Sequence, residues 1–184
     1  MLRPHSPGIG RSSSKTAERV SDTLRLGASP FVRDRRRIAA LALTASGAYT
    51  VVALYQFGLL RRVPEPRLPG LDADRVDASG EAYRVLTTPD AALGLLSSAL
   101  TLVLTGMGDD DRTRNRRWIP LMLAGKAVAD AVASLVLFAE QVNRHRRVCS
   151  WCTLAAAANL AMVPASLPEA RAAWFSTTHG DGTR

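Results

Sequence analysis

The chain has 184 residues and a formal net charge of +8. Residues 1–37 hold nine Lys or Arg against three acids, a net +6, in a segment rich in Ser, Pro and Gly. That composition is unlike a folded nucleic-acid-binding surface, so we expect a disordered tail and no nucleic-acid partner. Long apolar blocks alternate with charged stretches in the remainder, which excludes an ordinary soluble domain.

The first apolar block follows a cluster of arginines. Residues 1–32 form the predicted basic cytoplasmic tail, which lacks the short apolar core and cleavage site of a signal peptide. Ile38–Leu60 then contains no charged residue over 23 positions. At about 1.5 Å per residue this block measures about 34 Å, enough to cross a hydrocarbon core of about 30 Å. It predicts the first transmembrane helix.

A polar segment, residues 61–89, separates the first block from the second. It mixes acids with five arginines, is too polar to enter lipid, and is long enough to cap a helix bundle. The second block, Ala91–Gly108, has 18 uncharged residues and predicts a second span. Thr88 can cap this helix, Pro89 suits its first turn, and Asp90 suits the positive end of its dipole.

The third block, Trp118–Ala139, contains two charged residues. Lys126 and Asp130 are four positions apart, so they share one face of the predicted helix. Ionisable residues in a span usually face a protein interior or a cavity, because a lone charge in lipid costs several kcal/mol. A structural ion pair and a functional pair both fit this pattern.

The fourth block runs from Val148 to Leu167, and Pro164 and Pro168 are expected to weaken and end it. The four blocks predict an all-α membrane protein. Its transmembrane domain, residues 33–168, is a four-transmembrane-helix bundle with a long extracytoplasmic loop between helices one and two. Residues 169–184 form a short C-terminal tail.

The distribution of arginines indicates an orientation in the cell membrane. Four spans place both termini on one side. Eleven arginines flank the helix ends on that side, against eight on the other. Since cytoplasmic loops carry the excess of basic residues, we expect a multi-pass protein with cytoplasmic termini and an outward-facing long loop.

The chain has two cysteines, Cys149 and Cys152, at the start of the fourth block. Three positions apart on a helix, they can form a disulfide or pass electrons. The Cys-X-X-Cys spacing favours the thiolate form, and so does the positive charge of the nearby Arg144, Arg146 and Arg147. Cys149 is nearer the solvent-facing end of the predicted fourth helix and is expected to meet a soluble dithiol first. Cys152 lies one turn deeper in the membrane.

Two plainer interpretations of the cysteine pair remain open. Both residues are small and could simply fill an apolar core. A zinc site needs four ligands, and His145 is the one candidate for a third, so we predict no metal site.

A four-span bundle with Cys-X-X-Cys at the outward end of its last span resembles the vitamin K epoxide reductase family. The residues that carry the resemblance are Val148-Cys149-Ser150-Trp151-Cys152-Thr153. A second match is the stretch 84–94, Arg-Val-Leu-Thr-Thr-Pro-Asp-Ala-Ala-Leu-Gly, which is similar to the family's entry into span two. The resemblance covers residues 33 to about 168.

The resemblance implies a membrane thiol–quinone oxidoreductase that serves disulfide-bond formation. Cys149 would exchange with a thiol partner, and Cys152 would lie next to the quinone, either menaquinone or ubiquinone. Thr88 and Asp90 match the positions that border the quinone. A thioredoxin-like dithiol protein is the implied partner, and the lipid bilayer surrounds the helices.

The chain departs from the family pattern in its long loop. The family has a second, outer cysteine pair there, but no cysteine occurs between residues 61 and 89, and Ala82 stands where one would be. Asp90 replaces the usual Asn, and an ionised carboxylate only accepts hydrogen bonds. A second hypothesis is therefore a degenerate, non-catalytic member that binds a lipid, a quinone or a partner in the membrane.

Overall fold

The computed structural model describes residues 14–66, 68–78 and 87–176. Within these ranges the regular secondary structure is helical, apart from one isolated bridge between Leu71 and Val148, and the predicted all-α class is confirmed. The helices are α1 Lys15–Leu26, α2 Pro30–Gln56, α3 Ala73–Asp77, α4 Asp90–Gly106, α5 Arg112–Asn115, α6 Trp118–Glu140 and α7 Ser150–Phe175. A π-helical turn, Gln141–His145, follows α6.

Three helices are long and apolar enough to cross a membrane. They are α2, α6 with its π-helical extension to Arg144, and α7. The fourth apolar helix, α4, has 17 residues and spans about 26 Å, slightly less than the hydrocarbon core. The count of four spans therefore stays a prediction.

The four apolar helices pack side by side around a central cavity. Helix α7 contacts α2 and α6, and α4 completes the ring by contacting the same two helices. Small residues line the seam between α2 and α7: Ala45, Ala48, Ala155 and Ala158 are all buried. Such residues let two backbones approach closely, which is how helices associate in lipid.

The N-terminal tail is partly helical, contrary to the prediction of disorder up to residue 32. Ser14 caps α1 by accepting a hydrogen bond from Ala17 N. Ser29 caps α2 by accepting from Val32 N, and Pro30 occupies its first turn. Helix α2 thus begins well before the apolar block, because a cap rather than hydropathy sets a helix start. Residues 1–13 of the predicted tail lie outside the described residues.

Helix α7 continues through both prolines to Phe175, so the prediction that Pro164 and Pro168 end it is wrong. Membrane helices tolerate proline where neighbouring elements hold the backbone in place. Here α7 packs against α2 and α6 along its length and against α5 near its end. The predicted domain boundary at residue 168 consequently falls inside a helix.

A buried Arg–Glu–Arg cluster joins the helix ends on the side of the termini. Glu169 Oε1 accepts from Arg35 Nε at 3.0 Å and from Arg112 Nε at 2.7 Å, and Arg112 Nη2 binds Oε2. The Glu169 side chain is 4% exposed, and the two arginine side chains are fully buried. Arg112 Nη1 also donates to three carbonyl oxygens at the end of α4: Leu104, Thr105 and Met107.

Lys126 and Asp130 form an ion pair on the face of α6 that is turned to α4. Lys126 Nζ also donates to Ser97 Oγ and Thr101 Oγ1, both at 2.8 Å. Ser97 in turn donates to Asp130 Oδ1 at 2.8 Å. The two charged side chains are 12% and 20% exposed, so the predicted interior location of this pair is confirmed.

Candidate functional site

The cysteine pair lies at the start of α7. Cys149 is the N-cap residue, and its Sγ accepts a hydrogen bond from Cys152 N at 3.2 Å. Thr153 Oγ1 donates to Cys149 O at 2.8 Å and secures the same turn. Both cysteines are free thiols. The predicted placement of the two sulfur atoms within one turn is confirmed.

The relative depth of the two thiols is the reverse of the sequence-based expectation. Cys149 is fully buried in a cluster with Val52, Val63 and Val76. Cys152 is half-buried and lines the central cavity. The prediction that Cys149 is the wetter thiol is therefore wrong, because the chain after α2 folds back over the N-terminus of α7.

Glu65 holds the covering segment, residues 57–66 and 68–72 between α2 and α3, against α7. Its Oε1 accepts from Ser150 N at 2.6 Å, and its Oε2 accepts from Ala73 N at 2.8 Å. One carboxylate thereby satisfies the exposed N–H groups of two helix N-termini, a favourable position for negative charge. Trp151 Nε1 donates to Pro64 O at 2.7 Å and adds a second tie. Sequence reasoning did not identify Glu65, because its partner on α7, Ser150, lies 85 positions along the chain.

Asp77, the last residue of α3, contacts the Cys152 thiol. Its Oδ1 accepts from Cys152 Sγ at 3.3 Å, while its buried Oδ2 has no hydrogen-bond partner. Burial raises the pKa of Asp77 to about 7, against the opposing effect of hydrogen bonds from Cys149 and Cys152. The folded chain then holds a proton that the unfolded chain releases, so stability falls as pH rises from about 4 to about 7.

Asp77, Cys149 and Cys152 also form a group of three potential metal ligands. Their ligand atoms lie within 4.8 Å of one another. Structural zinc sites use four protein ligands, and in the part of the chain that the structure describes this group has three. The His145 side chain, the fourth candidate considered from the sequence, is outside the described residues.

The cavity beside Cys152 measures about 300 Å³ and is bordered by α2, α3, α4, α6 and α7. Its wall is mostly apolar, with residues such as Val52, Leu93 and Phe138. A polar cluster interrupts it, in which the Asn159 amide donates to Tyr49 Oη at 3.1 Å and to Ser134 Oγ at 2.8 Å. An apolar chamber with a few convergent polar groups is the usual form of a small-molecule site.

Gly94 gives the Tyr49 ring its place on the cavity wall. A Cβ atom at position 94 would lie 2.7 Å from three atoms of that ring. Any larger residue would push Tyr49 out of position, so the Gly in the second matched stretch has a steric reason.

The two residues predicted to border the quinone have different positions. Asp90 lines the cavity, and its Oδ1 accepts from Gln56 Nε2 at 2.7 Å. Thr88 is not on the wall, and it does not cap α4, whose N-cap is Pro89 without a side-chain bond. The capping prediction is wrong because Gln56 Oε1 reaches across from α2 to accept from Ala91 N.

Comparison with known proteins gives one family. Residues 36–167 match the model of the "Vitamin K epoxide reductase family". The chain belongs to this family. The match covers nearly the same residues as the resemblance and includes both stretches that carry it. No curated protein and no solved structure matches the chain significantly.

Membership of the vitamin K epoxide reductase family gives the general class of activity. Members are membrane thiol–quinone oxidoreductases whose electron partner is a quinone or vitamin K. Together with the three apolar helices, this makes the chain a membrane protein. The cavity suits such a partner, because its apolar wall can enclose an aromatic ring and the Cys152 thiol lies on that wall.

Proposed function

We propose that this vitamin K epoxide reductase family member oxidises the Cys149–Cys152 dithiol to a disulfide with a quinone bound in the central cavity. The observation that carries the proposal is the Cys152 thiol on the cavity wall, one turn from the buried Cys149 thiol. A pair spaced in this way needs little backbone movement to close a disulfide.

The overall chemistry balances with one external dithiol. Formation of the Sγ–Sγ bond releases two electrons and two protons. A quinone in the cavity accepts both electrons and both protons and becomes a quinol. A thioredoxin-like dithiol then reduces the Cys149–Cys152 disulfide by thiol–disulfide exchange and leaves as a disulfide itself. The net result is a disulfide in the partner protein.

The cavity residues have different roles toward the quinone ring. Menaquinone and ubiquinone both carry this ring. Tyr49 Oη accepts from Asn159, which leaves its own proton available for a carbonyl oxygen. Asp90 is assigned to the same wall, but as a carboxylate it accepts from Gln56 and offers no donor. Thr88 is not assigned to the site, since it lies off the cavity wall.

The missing outer cysteine pair shapes the exchange step. With two cysteines in the chain, an external dithiol has to attack the Cys149–Cys152 disulfide itself. Cys149 is fully buried beneath the segment that Glu65 ties down. Exchange at Cys149 therefore requires this segment to open.

A single-turnover experiment tests the proposed function. The full chain is reduced in lipid nanodiscs and mixed with a short-chain quinone, and free thiols are counted by alkylation and mass spectrometry. We expect two thiols to be lost for each quinol formed. Cys149→Ser and Cys152→Ser should each abolish quinol formation, whereas Ser150→Ala on the same turn should keep it. If both wild-type thiols stay reduced in the presence of quinone, the non-catalytic binding function takes its place.

We also propose four spans with both termini in the cytoplasm. Three contacts group the relevant segments at one end of the bundle: Ser29 Oγ donates to Asp110 at 2.9 Å, Ser176 Oγ donates to Thr113 O at 3.1 Å, and Arg35 binds Glu169. The start of α2, the connection between α4 and α6, and the end of α7 thus share one side. The excess of arginines there favours the cytoplasm.

Cysteine labelling tests this topology in a chain without its two native thiols. Leu68 and Asn115 are exposed residues at opposite ends of the bundle. A membrane-impermeant maleimide should label Leu68→Cys in intact cells and Asn115→Cys after permeabilisation alone. Labelling of Asn115→Cys from outside would reverse the proposed orientation.

A further inference from the structure

Asp77 is a titratable side chain in contact with the Cys152 thiol, and the cycle above does not use it. Its Oδ1 accepts from Cys152 Sγ at 3.3 Å, and the residue is 2% exposed. We propose that Asp77 is the base that takes the proton from Cys152 as the disulfide forms, which makes it a catalytic residue supplied by the loop helix α3. This inference rests on the proposed thiol–quinone function.

The placement of Asp77 would be costly without such a role. Its Oδ2 is buried and has no hydrogen-bond partner among the described residues. A buried polar group without a hydrogen-bond partner is unfavourable, and more so when it is charged. A hydrogen bond from Gln56 Nε2 to Asp77 O, at 3.4 Å, holds the backbone of Asp77 in place. An apolar residue here would avoid the cost, so we take the carboxylate to be retained for its chemistry.

The proton and electron balance is complete with the groups already named. The Cys152 S–H bond breaks and an O–H bond forms at Asp77 Oδ1, leaving the electron pair on sulfur as a thiolate. The S–S bond to Cys149 then forms as two electrons pass to the quinone, and the quinone oxygens take up the Cys149 proton and the proton held by Asp77, which gives the quinol. Asp77 borders the same cavity, so its proton can leave by that route and restore the carboxylate.

The environment of Asp77 suits proton exchange with a thiol. An ordinary carboxylate, whose acid has a pKa of about 3.9, is a weak base toward an ordinary thiol, whose pKa is about 8.5. Burial brings the pKa of Asp77 to about 7, and the acids Asp90 of α4 and Glu65 of the covering segment add to the increase. Hydrogen bonds from Cys149 and Cys152 of α7 act in the opposite direction. A base closer in pKa to its acid transfers protons more readily.

The pH dependence of the reaction has a definite sign. Asp77 accepts a proton only in its ionised form, which predominates above about pH 7. The rate of disulfide formation by added quinone should therefore rise through neutral pH in the wild-type chain. Asp77→Asn keeps the shape and removes the base, so it should lower this rate by about 100-fold above neutral pH and abolish the inflection near pH 7.

A second readout needs no quinone. In a Cys149→Ser background, the one remaining thiol is alkylated with an uncharged reagent above neutral pH. A negative charge beside a thiol disfavours the thiolate, so Asp77→Asn should accelerate alkylation of Cys152. A catalytic base thus predicts two opposite effects of one substitution, slower oxidation and faster alkylation.

Asp72→Asn is the matched control. It removes an acid from the same short helix, while Asn caps a helix as well as Asp does. It should leave both pH profiles unchanged. Equal oxidation rates and pH profiles in Asp77→Asn and wild type would overturn the role of Asp77 and leave the proposed function standing. Parallel loss of oxidation and alkylation would overturn it as well, since a merely structural role predicts that result. A wild-type chain that no quinone oxidises would instead refute the proposed function.

Discussion

Replacement of Glu169 by Gln is expected to lower the free energy of unfolding by about 3–5 kcal/mol, the usual cost of removing one partner from a buried ion pair. The substitution leaves Arg35 and Arg112 facing each other in a site with almost no solvent. Unfolding in detergent, followed by circular dichroism against denaturant, measures the loss. Arg171→Gln, an exposed change on the same helix, should stay within about 0.5 kcal/mol of wild type.

A triple variant separates the charge effect from the packing effect. Glu169→Leu combined with Arg35→Met and Arg112→Met removes all three charges and keeps similar volumes, which is often neutral for buried ion clusters. Recovery should be partial, because Arg112 also satisfies three carbonyls at the end of α4. If Glu169→Gln is no less stable than Arg171→Gln, the cluster is not the dry junction described above.

Cys152 is expected to react with a small uncharged alkylating reagent about 100-fold faster than Cys149, since a thiol under a closed segment reacts only during local opening. Cys152 borders the cavity, whereas Cys149 is fully buried. Single-cysteine chains, made by Cys149→Ser and Cys152→Ser, allow each rate to be followed by mass spectrometry under the same conditions.

The covering segment accounts for this difference, and Glu65 offers a way to test it. Glu65→Gln weakens the carboxylate bonds to Ser150 N and Ala73 N, so it should accelerate labelling of Cys149 and leave Cys152 nearly unchanged. Arg62→Gln, an exposed change in the same segment, serves as the control. Equal rates for the two thiols in the wild-type fold would contradict the burial of Cys149.

The loop of this family member carries acids near the redox pair instead of a second pair of cysteines. Glu65 ties the loop to the start of α7, and Asp77 binds the Cys152 thiol. Position 82, where the outer cysteine is expected, lies outside the described residues. In our proposals the loop thus controls access to Cys149 and supplies a base, while an external dithiol provides the electrons.

Local features of the chain were predictable from the sequence. Apolar blocks identified the membrane helices, because the length of an uncharged stretch is readable directly against the thickness of a bilayer. The one-turn spacing of Cys149 and Cys152 was equally secure, since three positions on a helix always share a face. The family match covers both stretches that carry the resemblance, and the helical class follows from the apolar blocks.

Contacts between distant residues decided both the buried Arg–Glu–Arg cluster and the candidate site, and no local pattern contains them. Arg35 and Glu169 are 134 positions apart, and Asp77 and Cys152 are 75 apart. From the sequence Arg35 looked like a cytoplasmic surface charge, Asp77 like one acid in a polar loop, and Cys149 like the more exposed thiol. Burial, the raised pKa of Asp77 and the order of thiol access arise only when α3 and its segment close over α7, because desolvation depends on which groups surround an atom in space.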